Sequence, residues 1–352
     1  MKFIHMADVH LGAEPEAGRA YSEQRKQEIW DSFAAVLKVC EKERIDFLLI
    51  AGDLFHRQPL IRELKEVNYL FSKLTVTKVV FIAGNHDYVK PEGYYKTFVW
   101  ADNVYPLLND KITCARFPKE NVGVYGLSYH QKEIRENIYA GQYAPGQFPY
   151  EILLVHGGDE THAPFKKSEL MDLGYNYIAL GHIHKPWILV ENFAAYAGAL
   201  EPIDRNDVGK HGFIKGEMTP KGTMVQFVPF AKREYVHMEI AIDKDTTNMR
   251  LREQIRKKIE EYGVHNLYKL ILRGHHDPDI IFEKAGLDQY GNILEIVDDT
   301  NPAYDFEKLE EKNQKNLLGK YIACMKGAKE GSKEYQALYE GVHALLETKR
   351  GF

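Results

Sequence analysis

The 352-residue sequence predicts a layered α/β fold, α+β under schemes that weigh its antiparallel part, followed by a small α+β module and a C-terminal helical hairpin. Three observations predict it. Apolar runs of strand length alternate with stretches of helical period as far as Gly181; short glycine-punctuated strands then take over; and amphipathic helical patterns close the chain.

Phe3 to Ala7, Phe47 to Ala51, Val79 to Ala83, Ile152 to Val155 and Tyr177 to Leu180 are short and rich in Ile, Val, Leu and Phe, the signature of strands buried on both faces. Between the first of them, Ile29, Phe33, Val36, Leu37 and Cys40, and then Leu60, Leu64, Val67, Leu70, Phe71 and Leu74, recur at helical spacing. Ala194 to Ala199, Gly212 to Met218 and Thr223 to Val228 read as an antiparallel sheet, and the first domain closes near residue 233. Beyond it come a strand (Tyr235 to Ile242), a helix with Leu251, Ile255 and Ile259 on one face, and strands at Leu267 to Arg273 and Asn292 to Val297. Asp298 to Pro302 reads as a turn. Two amphipathic helical segments end the pattern, one carrying Leu309, Leu317, Leu318, Tyr321, Ile322 and Met325, the other Leu338, Tyr339, Val342, Leu345 and Leu346.

Composition narrows the function classes. With 44% hydrophobic residues and 46 basic against 51 acidic side chains, net −5, the chain is neither disordered nor bulk-cationic, so nucleic-acid binding requires local patches. Cys40, Cys114 and Cys324 are too few and too scattered for a disulfide framework or a thiolate metal site. Neither a secretory leader nor a membrane span is expected, which makes the cytoplasm the default address.

The chemistry lies in the residues just after each strand. The first five apolar runs lead into Asp8-Val9-His10, Gly52-Asp53, Gly84-Asn85-His86-Asp87, His156-Gly157 and Gly181-His182-Ile183-His184. Loops at the carboxyl ends of parallel strands converge on one crevice, so these residues are expected to meet. Oxygen and imidazole donors without sulfur suit Mn²⁺, Fe²⁺ or Zn²⁺. The number of donors in Asp8, His10, Asp53, Asn85, His156, His182 and His184 exceeds what one ion takes and splits into two shells sharing a carboxylate, an arrangement that clamps the oxygens of an in-line displacement at phosphorus. Gly52-Asp53 or Asp8-Val9-His10 alone would be ordinary turn chemistry; the ordered set is not. Gly274-His275-His276-Asp277 resembles a metal loop but lacks companions and reads as a solvated turn.

These five motifs resemble those of the calcineurin-like metallophosphoesterase superfamily. Gly52-Asp53-Leu54-Phe55-His56, Asn85-His86-Asp87 and the appended C-terminal modules resemble the branch of SbcD-like double-strand-break repair nucleases. The resemblance implies a β-sandwich flanked by helices over residues 1–233, a capping domain over 234–300 and a helical segment over 301–352 that docks on an SMC-like ATPase of SbcC type. It further implies two divalent ions, Mn²⁺ first among them, one held by Asp8, His10 and His184 and the other by Asn85, His156 and His182, with Asp53 bridging. Water activated between them would attack a DNA phosphodiester. His86 would assist the leaving oxygen, Asp87 would orient the His86 ring, and His56 would position DNA or phosphate. Dimerisation is implied through the segments carrying Leu60 to Leu74 and Tyr94, Tyr95, Phe98 and Trp100, a periodicity that packing on the chain's own sheet explains equally well. The rival readings are a phosphodiesterase of small phosphoesters and a non-catalytic scaffold for an ATPase.

Overall fold

A computed structural model describes residues 1–18 and 21–350, the side chains of 349 and 350 excepted. The N-terminal apolar runs form β1 (Lys2–Met6), β2 (Phe47–Ala51) and β3 (Lys78–Ile82), separated by α1 (Ser22–Glu43) and α2 (Ile61–Ser72). Then come β4 (Val104–Pro106), β5 (Thr113–Phe117), β6 (Val122–Gly126), β7 (Tyr150–His156), α3 (Lys167–Met171), β8 (Tyr177–Gly181), β9 (Trp187–Val190), β10 (Ala194–Tyr196), β11 (Gly212–Thr219) and β12 (Gly222–Pro229). They build two six-stranded sheets, ordered β12-β11-β1-β2-β3-β4 and β5-β6-β7-β8-β10-β9.

Every residue of β2 and β8 is buried, because each sheet is covered on both faces. Phe47, Leu49 and Ala51 point into the space between the sheets with Ile152, Leu154 and Ala179, while Leu48 and Ile50 pack with Ile29, Phe33, Val36, Leu37 and Cys40 of α1. The helical spacing of α1 is thus the spacing of its contacts, each large apolar side chain so buried stabilising the fold by about 1.5–3 kcal/mol. In α2, Leu64, Val67 and Phe71 are buried in the same layer, whereas Leu60, Ile61 and Tyr69 remain exposed. Leu153, Val155, Ile178 and Leu180 turn the other way, onto Tyr139, Leu170 and Leu173.

The strands past Gly181 do not form one antiparallel sheet. β10 pairs parallel with β8 in the second sheet, while β11 pairs antiparallel with β1 and with β12 in the first. Alternation fixes which residues face inward but not which edge a strand joins, and these strands were drawn to two different edges. The first compact unit comprises Met1–Val236 with His265–Leu267.

The second unit comprises His237–Val264 and Tyr268–Phe352. Its strands β13 (Tyr235–Ile242), β14 (Leu267–His276) and β15 (Ile293–Pro302) form a three-stranded sheet in that order, and α4 (Asn248–Tyr262) buries Leu251, Ile255 and Ile259 and is capped by the Thr247 side chain. The residues read as turns, Asp298 to Pro302 and Gly274 to His276, are instead parallel neighbours in β15 and β14. Edge position accounts for the first, since an outer strand tolerates Pro and Asp, and mispairing is avoided there. The first helical segment of the expected hairpin is divided into α5 (Phe306–Asn313) and α6 (Leu317–Cys324), where Asn316 accepts a hydrogen bond from Gly319 N and starts a new helix. With α7 (Lys333–Arg350) they bury Leu318, Ile322, Leu338 and Val342 together.

Candidate metal centre

β1, β2 and β3 are parallel in one sheet and β7 and β8 parallel in the other, so the loops after them gather at one end of the sandwich. Backbone bonds join the first two loops: Asp8 N donates to Gly52 O (3.1 Å), His10 N to Asp53 O (3.0 Å) and Leu11 N to Leu54 O (2.9 Å). Asp8, His10, Asp53 and His182 stand at φ of 49°, 51°, 50° and 91°, a left-handed region that costs non-glycine residues energy and is characteristic of functional sites. Glycine is required nearby. A Cβ on Gly84 would lie 2.2 Å from Asp53 Oδ1, and one on Gly181 2.0 Å from Ala51 O.

The side chains converge as overlapping groups, Asp8 also bringing a ligand atom within 4.8 Å of those of Asp53 and His156. On one side, Asp8, His10 and His184 bring potential ligand atoms within 4.8 Å of one another, with His10 Nε2 and His184 Nε2 3.0 Å apart. On the other, Asn85 Oδ1 lies 2.9 Å from His156 Nε2 and 3.2 Å from His182 Nδ1. Asp53 lies between, its Oδ2 being 3.4 Å from His156 Nε2 and 4.0 Å from His10 Nε2. The donor chemistry, imidazole nitrogen and carboxylate or amide oxygen without thiolate, fits divalent first-row ions.

Ring orientation is set from outside. His156 Nδ1 donates to Ala51 O (2.8 Å), leaving Nε2 toward Asp53. His184 Nδ1 faces Asp207 at 3.1 Å, and His182 Nε2 faces Asp159 at 2.7 Å. His86 Nδ1 donates to His56 O (3.0 Å), while His86 N donates to Asp53 Oδ1 (2.9 Å). The His56 ring stacks on that of His86 with centroids 5.1 Å apart, and the His10 ring meets His86 edge-on at 4.8 Å.

Charge is distributed to match. Burial raises Asp8 to about 6 despite His156 and His184. Burial also opposes charge on Asp53, but His156 and His10 beside it hold its carboxyl well below the usual range. Burial would lower His156, yet the Asp53 and Asp8 carboxylates lift it to about 9; His184 reaches about 9 against burial through Asp207 and Asp8. His182 is pushed down to about 4 by burial and by His156. Protonated His156 and His184 thus balance two buried carboxylates, a balance that divalent cations would provide more strongly.

Sequence motifs brought Asp8, His10, Asp53, Asn85, His86, His156, His182 and His184 to one place, with His56 at its rim. Asp87 is near but differently engaged. Its buried carboxylate accepts from Phe55 N (3.1 Å), Gly84 N (2.8 Å) and Tyr95 OH (2.7 Å), and no hydrogen bond among the described residues joins it to His86. Burial and the neighbouring Asp53 charge raise it to about 7. The expected carboxylate brace on His86 is not formed: the His56 carbonyl faces the ring's Nδ1, while Asp87 is occupied by the loop backbone and the Tyr95 hydroxyl. Asp159 and Asp207 were not singled out from sequence, since a ligand's supporting carboxylate has no fixed spacing from it, each here lying 23 residues from the histidine it faces. None of the metal-capable groups found among the described residues includes His275 or His276.

A family model described as calcineurin-like phosphoesterase matches residues 1–186. A Bacillus subtilis (strain 168) protein described as the uncharacterized metallophosphoesterase YhaO is 27% identical over 84% of this chain and 77% of its own length. A Methanocaldococcus jannaschii protein named DNA double-strand break repair protein Mre11 is 31% identical over 59% of this chain and 58% of its own, and its Saccharolobus solfataricus namesake is 28% identical over 61% and 59%. The matched region thus spans less than two thirds of each of these two repair proteins.

Proposed function

The chain belongs to the calcineurin-like phosphoesterase family, hydrolases of phosphoesters that use divalent metal ions, and from that premise we propose that it is a DNA nuclease of the SbcD-like branch acting in double-strand-break repair. One observation carries the reading: seven donors from the strand ends and loops of both sheets meet around Asp53, three of the four histidine rings already turned by a partner outside the centre. Asp8, His10 and His184 would hold one ion, Asn85, His156 and His182 the other, and Asp53 both. Mn²⁺ is the ion proposed. When bound, the ions supply activation of water and stabilisation of charge at the reacting phosphoryl group.

His86 acts on the leaving side. Its Nδ1 donates to the His56 carbonyl, so Nε2 is the nitrogen left to face the departing sugar oxygen. The bond from His86 N to Asp53 Oδ1 ties the ring's position to the shared ligand. His56, stacked on His86, would contact the phosphate flanking the cleaved bond.

The wider reading is 3′ to 5′ exonuclease action on duplex ends, endonuclease action on single strands, and an SMC-like ATPase partner docked on α5–α7, where Leu317 is 68% exposed. A homodimer is proposed through the outer face of α2, which leaves Ile61 39% and Tyr69 57% exposed, together with Val99 at 85%. Among the described residues no helix is long and apolar enough to cross a membrane.

The test is Mn²⁺-dependent cleavage of end-labelled duplex DNA, with a small phosphodiester run beside it. Cleavage abolished by chelator and by Asp53→Asn, and reduced roughly 10²–10⁴-fold by His86→Ala, is expected. Full DNA cleavage by either variant refutes the mechanism. Hydrolysis of the small ester alone makes the protein a phosphodiesterase of small substrates.

A further inference from the structure

His182 and His184 stand two residues apart on one loop, yet they turn opposite ring nitrogens inward. His182 has Nδ1 3.2 Å from Asn85 Oδ1 and Nε2 2.7 Å from Asp159 Oδ2. His184 has Nε2 3.0 Å from His10 Nε2 and Nδ1 3.1–3.2 Å from the two oxygens of Asp207. An ionised carboxylate only accepts hydrogen bonds, so in the neutral ring that a metal ligand must be, the nitrogen facing the carboxylate carries the hydrogen and the opposite nitrogen offers its lone pair. Resting on the ligand assignment proposed above, we infer that Asp159 and Asp207 are positioning residues that fix opposite tautomers of these neighbouring histidines, each tuning one of the two ion sites.

Both carboxylates are built to do this. Asp159 Oδ1 accepts from Thr161 N and His162 N, 2.8 Å each, and Asp207 Oδ2 accepts from Ile203 N and Asp204 N, 3.0 Å each. Each is thereby held by its own loop, one after β7 and the other preceding β11, and each addresses a single ligand. The two rings turn different nitrogens inward, and each has its own acceptor on the far side. Asp159, His162 and His182 also lie close enough to bind an ion themselves, but His182 would then have to serve it through Nε2 while Nδ1 serves the centre, giving up its ring proton to bridge two cations. With the proton retained on Nε2, Asp159 is a hydrogen-bond acceptor and not a ligand.

The experiment uses the full chain and Mn²⁺, with free ion followed by electron paramagnetic resonance, for wild type, Asp159→Asn, Asp207→Asn, Asp53→Asn and His162→Gln. An asparagine at 159 or 207 can present either its oxygen or its amide hydrogens, so it no longer selects a tautomer. Wild type is expected to bind two ions. Asp159→Asn and Asp207→Asn should each weaken one stepwise affinity by roughly 10–100-fold, leaving the other within about threefold. His162→Gln should leave both unchanged, because the backbone donors to Asp159 remain. In the Zn²⁺-loaded, ¹⁵N-histidine-labelled protein, His182 should show its proton on Nε2 and His184 on Nδ1, and Asp159→Asn should disturb His182 alone. Unchanged affinities in both variants, or the same tautomer at both histidines, overturns the inference. A third ion lost in Asp159→Asn makes Asp159 a ligand and overturns it as well. Two ions still bound by Asp53→Asn would instead refute the ligand assignment, and the inference with it.

Discussion

Asp8 and Asp53 are buried carboxylates whose charge is balanced, without an ion, by protons on His156 and His184, both lifted to about 9. An ion must displace those protons. Below pH 9 the histidines carry protons that compete with metal, so affinity rises with pH and levels off above about 9. Mn²⁺ dissociation constants measured between pH 6.5 and 8.5 should tighten by up to about 10-fold per pH unit for each proton displaced. A flat profile would mean that the two imidazoles are neutral before binding. At this scale the sequence was highly informative about ligands and poorly informative about their supports. Gly84 and Gly181 mark where a side chain would collide with Asp53 Oδ1 or Ala51 O, so their presence beside His, Asn and Asp was legible. Asp159 and Asp207 were not, because a hydrogen-bond acceptor for a ring edge may come from any loop that passes it. The engagement of Asp87 with Phe55, Gly84 and Tyr95 was hidden for the same reason.

At the scale of elements, helical period fixed the buried face of α1 and half of the question about α2. Leu64, Val67 and Phe71 pack with the first sheet, which removes them from any intermolecular role and leaves Leu60, Ile61 and Tyr69 to face outward. Tyr95, expected on the same surface, is buried and bonded to Asp87; Val99 beyond it is open. If these outward residues form the dimer contact, Ile61→Asp combined with Val99→Asp should convert a dimer to a monomer in sedimentation equilibrium while Mn²⁺ binding persists. A monomeric wild type, or a dimeric variant, would exclude this surface. Central strands with strong apolar runs were legible; β4, β5, β6 and β9 were missed, β5 and β6 having five residues but no run of Ile, Val, Leu and Phe, and β10 was assigned to the wrong partners. The short length of β4, β9 and β10 leaves too few alternations to define a face, and pairing at a sheet edge depends on contacts distant in sequence.

Across the whole molecule, the centre draws Asp8, Asp53 and Asn85 from the sheet containing β1, β2 and β3, and His156, His182 and His184 from the sheet containing β7 and β8. Bound ions would therefore fasten one sheet of the sandwich to the other. Each ion at 100-fold excess over its dissociation constant adds roughly 2.7 kcal/mol to the stability of the first unit. Chelation should lower its melting temperature by several degrees in calorimetry, and Asp53→Asn should melt at the same temperature with and without Mn²⁺. A wild-type melting point indifferent to Mn²⁺ would show that the sheets do not share the ions. The same sheet order has a consequence in time. β1 lies between β2 and β11, and His5 is paired with Ile214. Synthesis at about 5–20 residues per second brings the second neighbour from the ribosome some 10–40 s after the first strand. Through that interval one edge of Lys2–Met6 has no native partner, so the protein's earliest-made strand is among the last to be enclosed, and the growing chain must keep that edge from pairing elsewhere.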